Sequence, residues 1–210
     1  MSKKLKNKSA LAGKNVATVL GPEFGSAPRF WMAVSLVLVG FLLYKNTLHA
    51  PFVLDDVHKI QNNTDLRIEK LSQVFSKLVY PYSQNKSFVR NDPSRPVTFL
   101  TLTLNYYFGK LDPFGYRLGN LLGHGFVGVL LFLLTRRLFF LLFGNENVAL
   151  SFVLALLFVV HPVNAIVALY PFNRSDILAA LTSLGALLLF FSASPPPRWK
   201  HRAALGLFIL

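Results

Sequence analysis

The chain has 210 residues, with 22 Lys and Arg against nine Asp and Glu, a net charge of +13, 53% hydrophobic residues and no cysteine. Lack of cysteine excludes disulfides and thiolate metal sites. The apolar residues come in long blocks, which argues against a soluble domain and for bilayer-spanning helices; the basic residues flank those blocks, where they set topology and meet anionic lipid, so the lipid bilayer and not nucleic acid is the expected partner.

Residues 1–29 carry Lys3, Lys4, Lys6, Lys8, Lys14 and Arg29 without apolar periodicity and read as a disordered cytoplasmic tail. The block 30–48 is too long for a signal-peptide core and starts too far from the N-terminus, so it reads as an uncleaved transmembrane helix. Trp31 marks one interface, and Tyr44 with Lys45 the other. The polar segment 49–115 follows and holds two adjacent carboxylates, Asp55 and Asp56. In it, Leu71, Val74, Phe75, Leu78 and Val79 share helical spacing and predict an interfacial helix N-capped by Asp65. From Arg95-Pro96 onward, Leu100, Leu102 and Leu104 alternate with polar residues, a nominal strand pattern. Val97, Leu100, Leu104 and Phe108 equally form a helical stripe. A lone strand at a membrane surface would leave edge groups unpaired, so a helix capped by Ser94 is expected.

The second span is placed at 116–134. Gly115, Gly119 and Gly123 recur every four residues and allow another helix to come close. Asn120 and His124 lie on one face, a turn apart, and are read as intramembrane polar contacts, first of all hydrogen bonds between helices. Residues 135–147, with Arg136 and Arg137, form a cytoplasmic loop; 148–160 form a third span stopped by His161-Pro162. An outer loop at 161–176 leads to a fourth span, 177–192. A cytoplasmic loop at 193–202 follows, then an apolar run at 203–210. Eight residues fall far short of the roughly 20 needed to span. That run is read as the start of a truncated fifth helix, and the chain as the N-terminal fragment of a larger membrane protein.

Four alternating spans put the basic segments on the cytoplasmic side and 49–115 and 161–176 on the lumenal or periplasmic side. Asp55, Asp56, Arg95, His161, Arg174 and Asp176 then share one compartment. A carboxylate there can act as a general base toward an acceptor hydroxyl, while arginines grip a lipid phosphate with their planar forks. Asp55 and Asp56, as neighbours, point opposite ways and are assigned different roles. Solvated loop charges and a simple helix stop account for the same residues without chemistry. No Ser/His/Asp triad, phosphate-binding glycine loop or zinc spacing is present, and no metal site is expected. The sequons Asn62-Asn63-Thr64 and Asn85-Lys86-Ser87 fall on the translocated side.

The ordered series Phe52-Val53-Leu54-Asp55-Asp56, Ser94-Arg95-Pro96-Val97, Leu111-Asp112-Pro113-Phe114-Gly115-Tyr116, Asn120, His124, Leu157-Phe158-Val159-Val160-His161-Pro162-Val163 and Asn173-Arg174-Ser175-Asp176-Ile177-Leu178-Ala179-Ala180 resembles a known family. Over about residues 30–192 it is similar to the N-terminal membrane part of the transmembrane and tetratricopeptide-repeat-containing protein O-mannosyltransferases. The resemblance implies an all-α, multi-spanning helical bundle of the GT-C glycosyltransferase type. It also implies a dolichyl or polyprenyl phosphate sugar as donor substrate, with no bound cofactor, and Ser or Thr of lumenal proteins as acceptor. Tetratricopeptide repeats beyond the membrane part would bind that acceptor. Carried across, Asp55 and Asp56 are the catalytic motif, with Asp55 the base or acceptor-positioning carboxylate. Arg95, His161, Arg174 and Asp176 become contacts for lipid phosphate or sugar. The location implied is the endoplasmic reticulum membrane in a eukaryote, or the inner membrane in a bacterium. One departure stands out: where the family usually has Glu after its His-Pro motif, this chain has Ile166. The fragment alone is expected to be inactive. A non-catalytic membrane scaffold or lipid-binding protein on the same fold is the alternative, and a transporter with Asn120 and His124 along its path is a third.

Overall fold

The computed structural model describes residues 26–74 and 94–191, and among these it contains helices and no strand. The basic tail up to residue 25, most of the expected helix through Phe75, Leu78 and Val79, the sequon at Asn85, and the segments 193–202 and 203–210 lie outside the described residues. Helix α1 is Ser26–Tyr44 and continues as a 3-10 turn to Thr47. Then come α2 (Pro96–Gly109), α3 (Pro113–Phe143), α4 (Val148–Val160), the short α5 (Ala165–Leu169) and α6 (Arg174–Phe191). Three stretches are long and apolar enough to cross a membrane: Ser26–Thr47, Pro113–Phe143 and Pro171–Phe191. The molecule is an all-α membrane bundle.

The central element is α3, against which α1, α4 and α6 all pack. Its 31 residues reach beyond 116–134 at both ends. Asp112 accepts a hydrogen bond from the Phe114 N–H at 3.0 Å, with Pro113 in the first turn, and Gly144 closes the helix at φ +77°. These local signals outlast the apolar block, so Arg136 and Arg137 sit on the helix, not in a loop.

Helix direction follows from which residues meet. At one end Glu146 bonds Arg136 at 2.6 Å and Arg29 at 3.3 Å, and Arg137 donates to the Phe191 carbonyl at 2.6 Å. At the other, Arg117 reaches Pro51 and Leu169, and Arg174 reaches Tyr116. Helices α3 and α6 therefore run one way, α1 and α4 the other. Residues 47–72, 94–117 and 161–176 collect at the Arg117 end.

Helix α4 has 13 residues, about 20 Å at 1.5 Å per residue, less than the roughly 30 Å hydrocarbon core. It stops at His161-Pro162, where Asn164 Nδ2 takes up the freed Phe158 carbonyl at 2.8 Å. The chain then descends through a 3-10 turn and α5 to Leu169, level with Arg117. On α3, Arg117 to Arg136 covers about 28 Å at the same rise. The broken element α4–α5 thus matches a full span while leaving backbone groups near its break for side chains to bind.

Glycines set the closeness of packing. A Cβ on Gly115, Gly119 or Gly123 would lie 3.3 Å from Asn105 Nδ2, 3.0 Å from Arg174 Nη2 and 2.6 Å from Ile177 Cγ2. The predicted ladder therefore faces α2 and α6. A second row, Gly125 and Gly128, comes within 3.0 Å of the Val37 backbone and 2.5 Å of Val159 on the same measure, and admits α1 and α4.

The outer segment is packed rather than draped. Phe52, Ile60, Leu66, Phe99, Leu102 and Tyr116 form one apolar cluster, joined by Phe172. Two caps differ from the sequence expectation. Asp65, expected to cap the helix through Leu71 and Val74, lies within a 3-10 turn at Thr64–Leu66 that Asn63 caps, its Oδ1 accepting from the Asp65 N–H at 3.0 Å; most of the helix expected beyond it lies outside the described residues. Arg95, not Ser94, occupies the cap position of α2, because Pro96 forces the residue before it out of helical geometry.

Candidate functional site at one end of the bundle

The Asp pair sits on a tight turn. Asp56 N–H bonds the Val53 carbonyl at 3.1 Å, and Leu54 takes φ +51°, a left-handed conformation that costs roughly 1–2 kcal/mol. The turn separates the two carboxylates: Asp55 is exposed, whereas Asp56 is 0% exposed. Asp56 Oδ1 accepts a hydrogen bond from the Phe172 N–H at 2.9 Å, and Oδ2 is buried with no partner. Burial pushes the Asp56 carboxyl up to about 6; the Phe172 N–H and the charge of Arg117 oppose this, and Asp55 adds to it. Both acids line a pocket of about 240 Å³ together with Leu54, Ile166, Tyr170, Phe172 and Asn173.

What holds the pocket together is Arg117, which sequence reasoning did not single out. One Nη donates to Pro51 O at 2.7 Å and the other to Leu169 O, so a single guanidinium ties the outer segment to the broken element. The available signal was a charge one turn inside an apolar helix, a costly position unless paired. Asn120 acts beside it, donating to Val167 O at 3.3 Å and Tyr170 O at 2.9 Å. His124 Nε2 lies 3.1 Å from Val159 O, at the last turn of α4. Both polar residues therefore serve contacts between helical segments.

Arg174 is 6% exposed, with every nitrogen taken up by the protein. Nε donates to Asn120 Oδ1 at 2.9 Å, Nη2 to Tyr116 O at 2.6 Å, and Nη1 to Asn105 Oδ1. Arg95 is differently placed. It donates to Ser175 Oγ at 3.1 Å, and Ser175 lies 3.4 Å from Asp176 Oδ1. These residues line a second cleft of about 360 Å³, whose wall continues along α6 through Thr182 and Ser183. His161 is exposed, accepts the Val163 N–H on Nδ1 at 3.2 Å, and lines neither cleft. Five of the six predicted residues thus divide among a carboxylate pocket (Asp55, Asp56), an arginine and hydroxyl cleft (Arg95, Asp176) and a buried tie (Arg174), while His161, at the break after α4, joins none of them. Among the described residues no group of three His, Cys, Asp or Glu is placed to hold a metal.

Fold and site together define a multi-pass helical membrane protein that gathers acids and arginines at one end. The chain is 33% identical over 156 residues to human protein O-mannosyl-transferase TMTC3, covering 73% of this chain and 16% of that protein. It is 30% identical over 178 residues to mouse protein O-mannosyl-transferase TMTC4, covering 79% and 24%. Human protein O-mannosyl-transferase TMTC1 is 31% identical over 156 residues, covering 71% and 16%. The chain belongs to the TMTC family of protein O-mannosyl-transferases. It spans about a sixth to a quarter of the length of these relatives. No family model matches the chain, and no solved structure matches it.

Proposed function

We propose that this chain supplies membrane helices and part of the active site of a GT-C type O-mannosyltransferase. In this reading the Arg117 end of the bundle faces the endoplasmic reticulum lumen, because Arg29, Arg136, Arg137 and the basic tail mark the opposite end as cytoplasmic. The full-length protein transfers a sugar from dolichyl or polyprenyl phosphate to Ser or Thr of lumenal proteins. The observation that carries the reading is Asp56: a buried carboxylate, anchored through one oxygen, with the other unpartnered and the acid raised to about 6. A base poised there takes the acceptor hydroxyl proton near neutral pH. Asp55, exposed at the rim, positions the acceptor. As the sugar C1–O bond breaks, Arg95 stabilises the departing lipid phosphate, and Asp176 receives sugar hydroxyls. Asn173 lines one cleft and Ser175 the other, so a donor held at Arg95 is two residues along the chain from the acceptor pocket.

The test is transfer from labelled polyprenyl phosphate mannose in membranes containing the full-length protein. Arg95→Met removes a charged hydrogen bond worth about 1.5–3 kcal/mol, so the donor KM should rise roughly 10- to 100-fold. An unchanged KM places the lipid phosphate elsewhere.

A second reading, a non-catalytic scaffold, is favoured by Ile166. Its side chain is 56% exposed and puts an apolar wall beside Asp55 and Asp56. Ile166→Glu adds a carboxylate to that pocket without burying it. A gain of transfer in the same assay identifies an impaired enzyme, and no activity before or after the change identifies the scaffold.

A further inference from the structure

The outer segment carries a feature that the transfer reaction leaves unused. After the π-helical turn Val57–Gln61, the chain reads Asn62-Asn63-Thr64, an N-glycosylation sequon. Alternate residues have opposite fates. Asn63 is fully buried: its Nδ2 donates to Lys59 O at 3.1 Å and its Oδ1 accepts from the Asp65 N–H. Asn62 and Thr64, the two residues that define the acceptor, are both exposed. Ile60 on one side and Leu66 on the other are 1% exposed and packed in the cluster with Phe52, Phe99 and Tyr116. The sequon is thus a fixed knuckle, pinned through its middle residue and its apolar flanks, with the acceptor amide outward. Asn62 also sits at the Arg117 end of the bundle, away from the Arg29–Glu146–Arg136 end.

We infer that Asn62 is an N-glycosylation acceptor. The inference rests on the proposed lumenal placement of the Arg117 end; the relatives named above are animal proteins, made in cells that N-glycosylate lumenal chains. The donor class is an oligosaccharide linked to a lipid diphosphate. Asn62 Nδ2 forms a bond to the sugar C1, the bond from C1 to the diphosphate oxygen breaks, the lipid diphosphate leaves with the electron pair, and the amide proton passes to base. A bulky glycan here extends from the surface and displaces none of the packed residues beneath.

The experiment expresses the full chain in microsomes with an epitope at the N-terminus and Asn7→Gln, Asn85→Gln and Asn173→Gln in place, so that of the chain's four Asn-x-Ser/Thr sequons only that at Asn62 is read. Two measurements are made: digestion of the epitope by protease added outside sealed microsomes, and mobility before and after an endoglycosidase. The expected result is a digested epitope and one endoglycosidase-sensitive mobility step, lost in both Asn62→Gln and Thr64→Ala. A digested epitope with no such step leaves the topology standing and overturns the acceptor. A protected epitope overturns the topology and the acceptor with it.

Discussion

Asp56→Asn should abolish transfer and at the same time make the protein more stable at neutral pH. The catalytic half follows from replacing a base with an amide that takes no proton, which removes about 10²- to 10⁴-fold in rate. The stability half follows from burial. Asp56 is 0% exposed, and its carboxyl is raised from the ordinary 3.8 to about 6 with desolvation as the largest cause. Folding therefore favours the protonated form. Between pH 3.8 and about 6 the unfolded chain has released this proton while the folded chain keeps it, so stability falls as pH rises through that window and is level above it. The full cost at pH 7 is about 3 kcal/mol. Asparagine keeps an oxygen for the Phe172 N–H and carries no charge, so it escapes most of this cost. The check is the thermal midpoint in detergent across pH, beside the transfer assay. The variant should melt above the parent at pH 7, and the gap should close by about pH 4. Undiminished transfer removes Asp56 from the chemistry. A variant that melts below the parent at pH 7 shows that the charge of Arg117 outweighs desolvation.

A residue that weakens the fold through its charge and is kept at a pocket fits a site where stability is traded for function. Much of its setting was readable in advance. The apolar blocks gave the bundle, and the alternation of spans gathered Asp55, Asp56, Arg95, His161, Arg174 and Asp176 at one end. Proline after Arg95 and His161 marked where helices start and stop. What composition and spacing did not reveal is which charges are buried. Asp55 and Asp56 are neighbours with the same side chain, yet Leu54 and the Phe172 N–H put one in water and the other in the core. Arg95 and Arg174 look alike as loop arginines; one lines an open cleft, while the other is enclosed by Asn105, Tyr116 and Asn120 from two other helices. Those partners lie 54 to 69 residues away in sequence, beyond the reach of any local pattern. Arg117 escaped notice for the same reason: its acceptors are backbone carbonyls, which every residue has.

Arg174 gives the sharpest separation between the sequence expectation and the structure. As a donor contact, it would leave the fold untouched when replaced and would weaken only binding. As the buried tie seen here, its loss leaves Asn105 Oδ1 and Asn120 Oδ1 without this donor and the Tyr116 carbonyl with its helical partner alone, at about 1–3 kcal/mol for each stranded group. Part of the total is recovered where a group turns to a new partner, so Arg174→Met should cost roughly 3–5 kcal/mol, the usual scale for breaking a buried charged network. Against the 5–15 kcal/mol of a typical domain, that loss lowers the thermal midpoint steeply or prevents folding. Lysine does not rescue it. An ammonium is a point charge on a flexible stem, and three acceptors arrayed around a planar fork lie beyond its single nitrogen. Gly119 supports the same assignment from the other side: its missing Cβ leaves 3.0 Å to Arg174 Nη2, space kept for the guanidinium. The measurement is a melt of Arg174→Met, Asn120→Ala and the double variant in detergent. The two single losses should fail to add fully, because without Arg174 the Asn120 Oδ1 has already lost its donor, and only the bonds to Val167 O and Tyr170 O remain for Asn120→Ala to remove. Additive losses break the network, and an Arg174→Met protein that melts like the parent but binds donor poorly returns this arginine to the substrate.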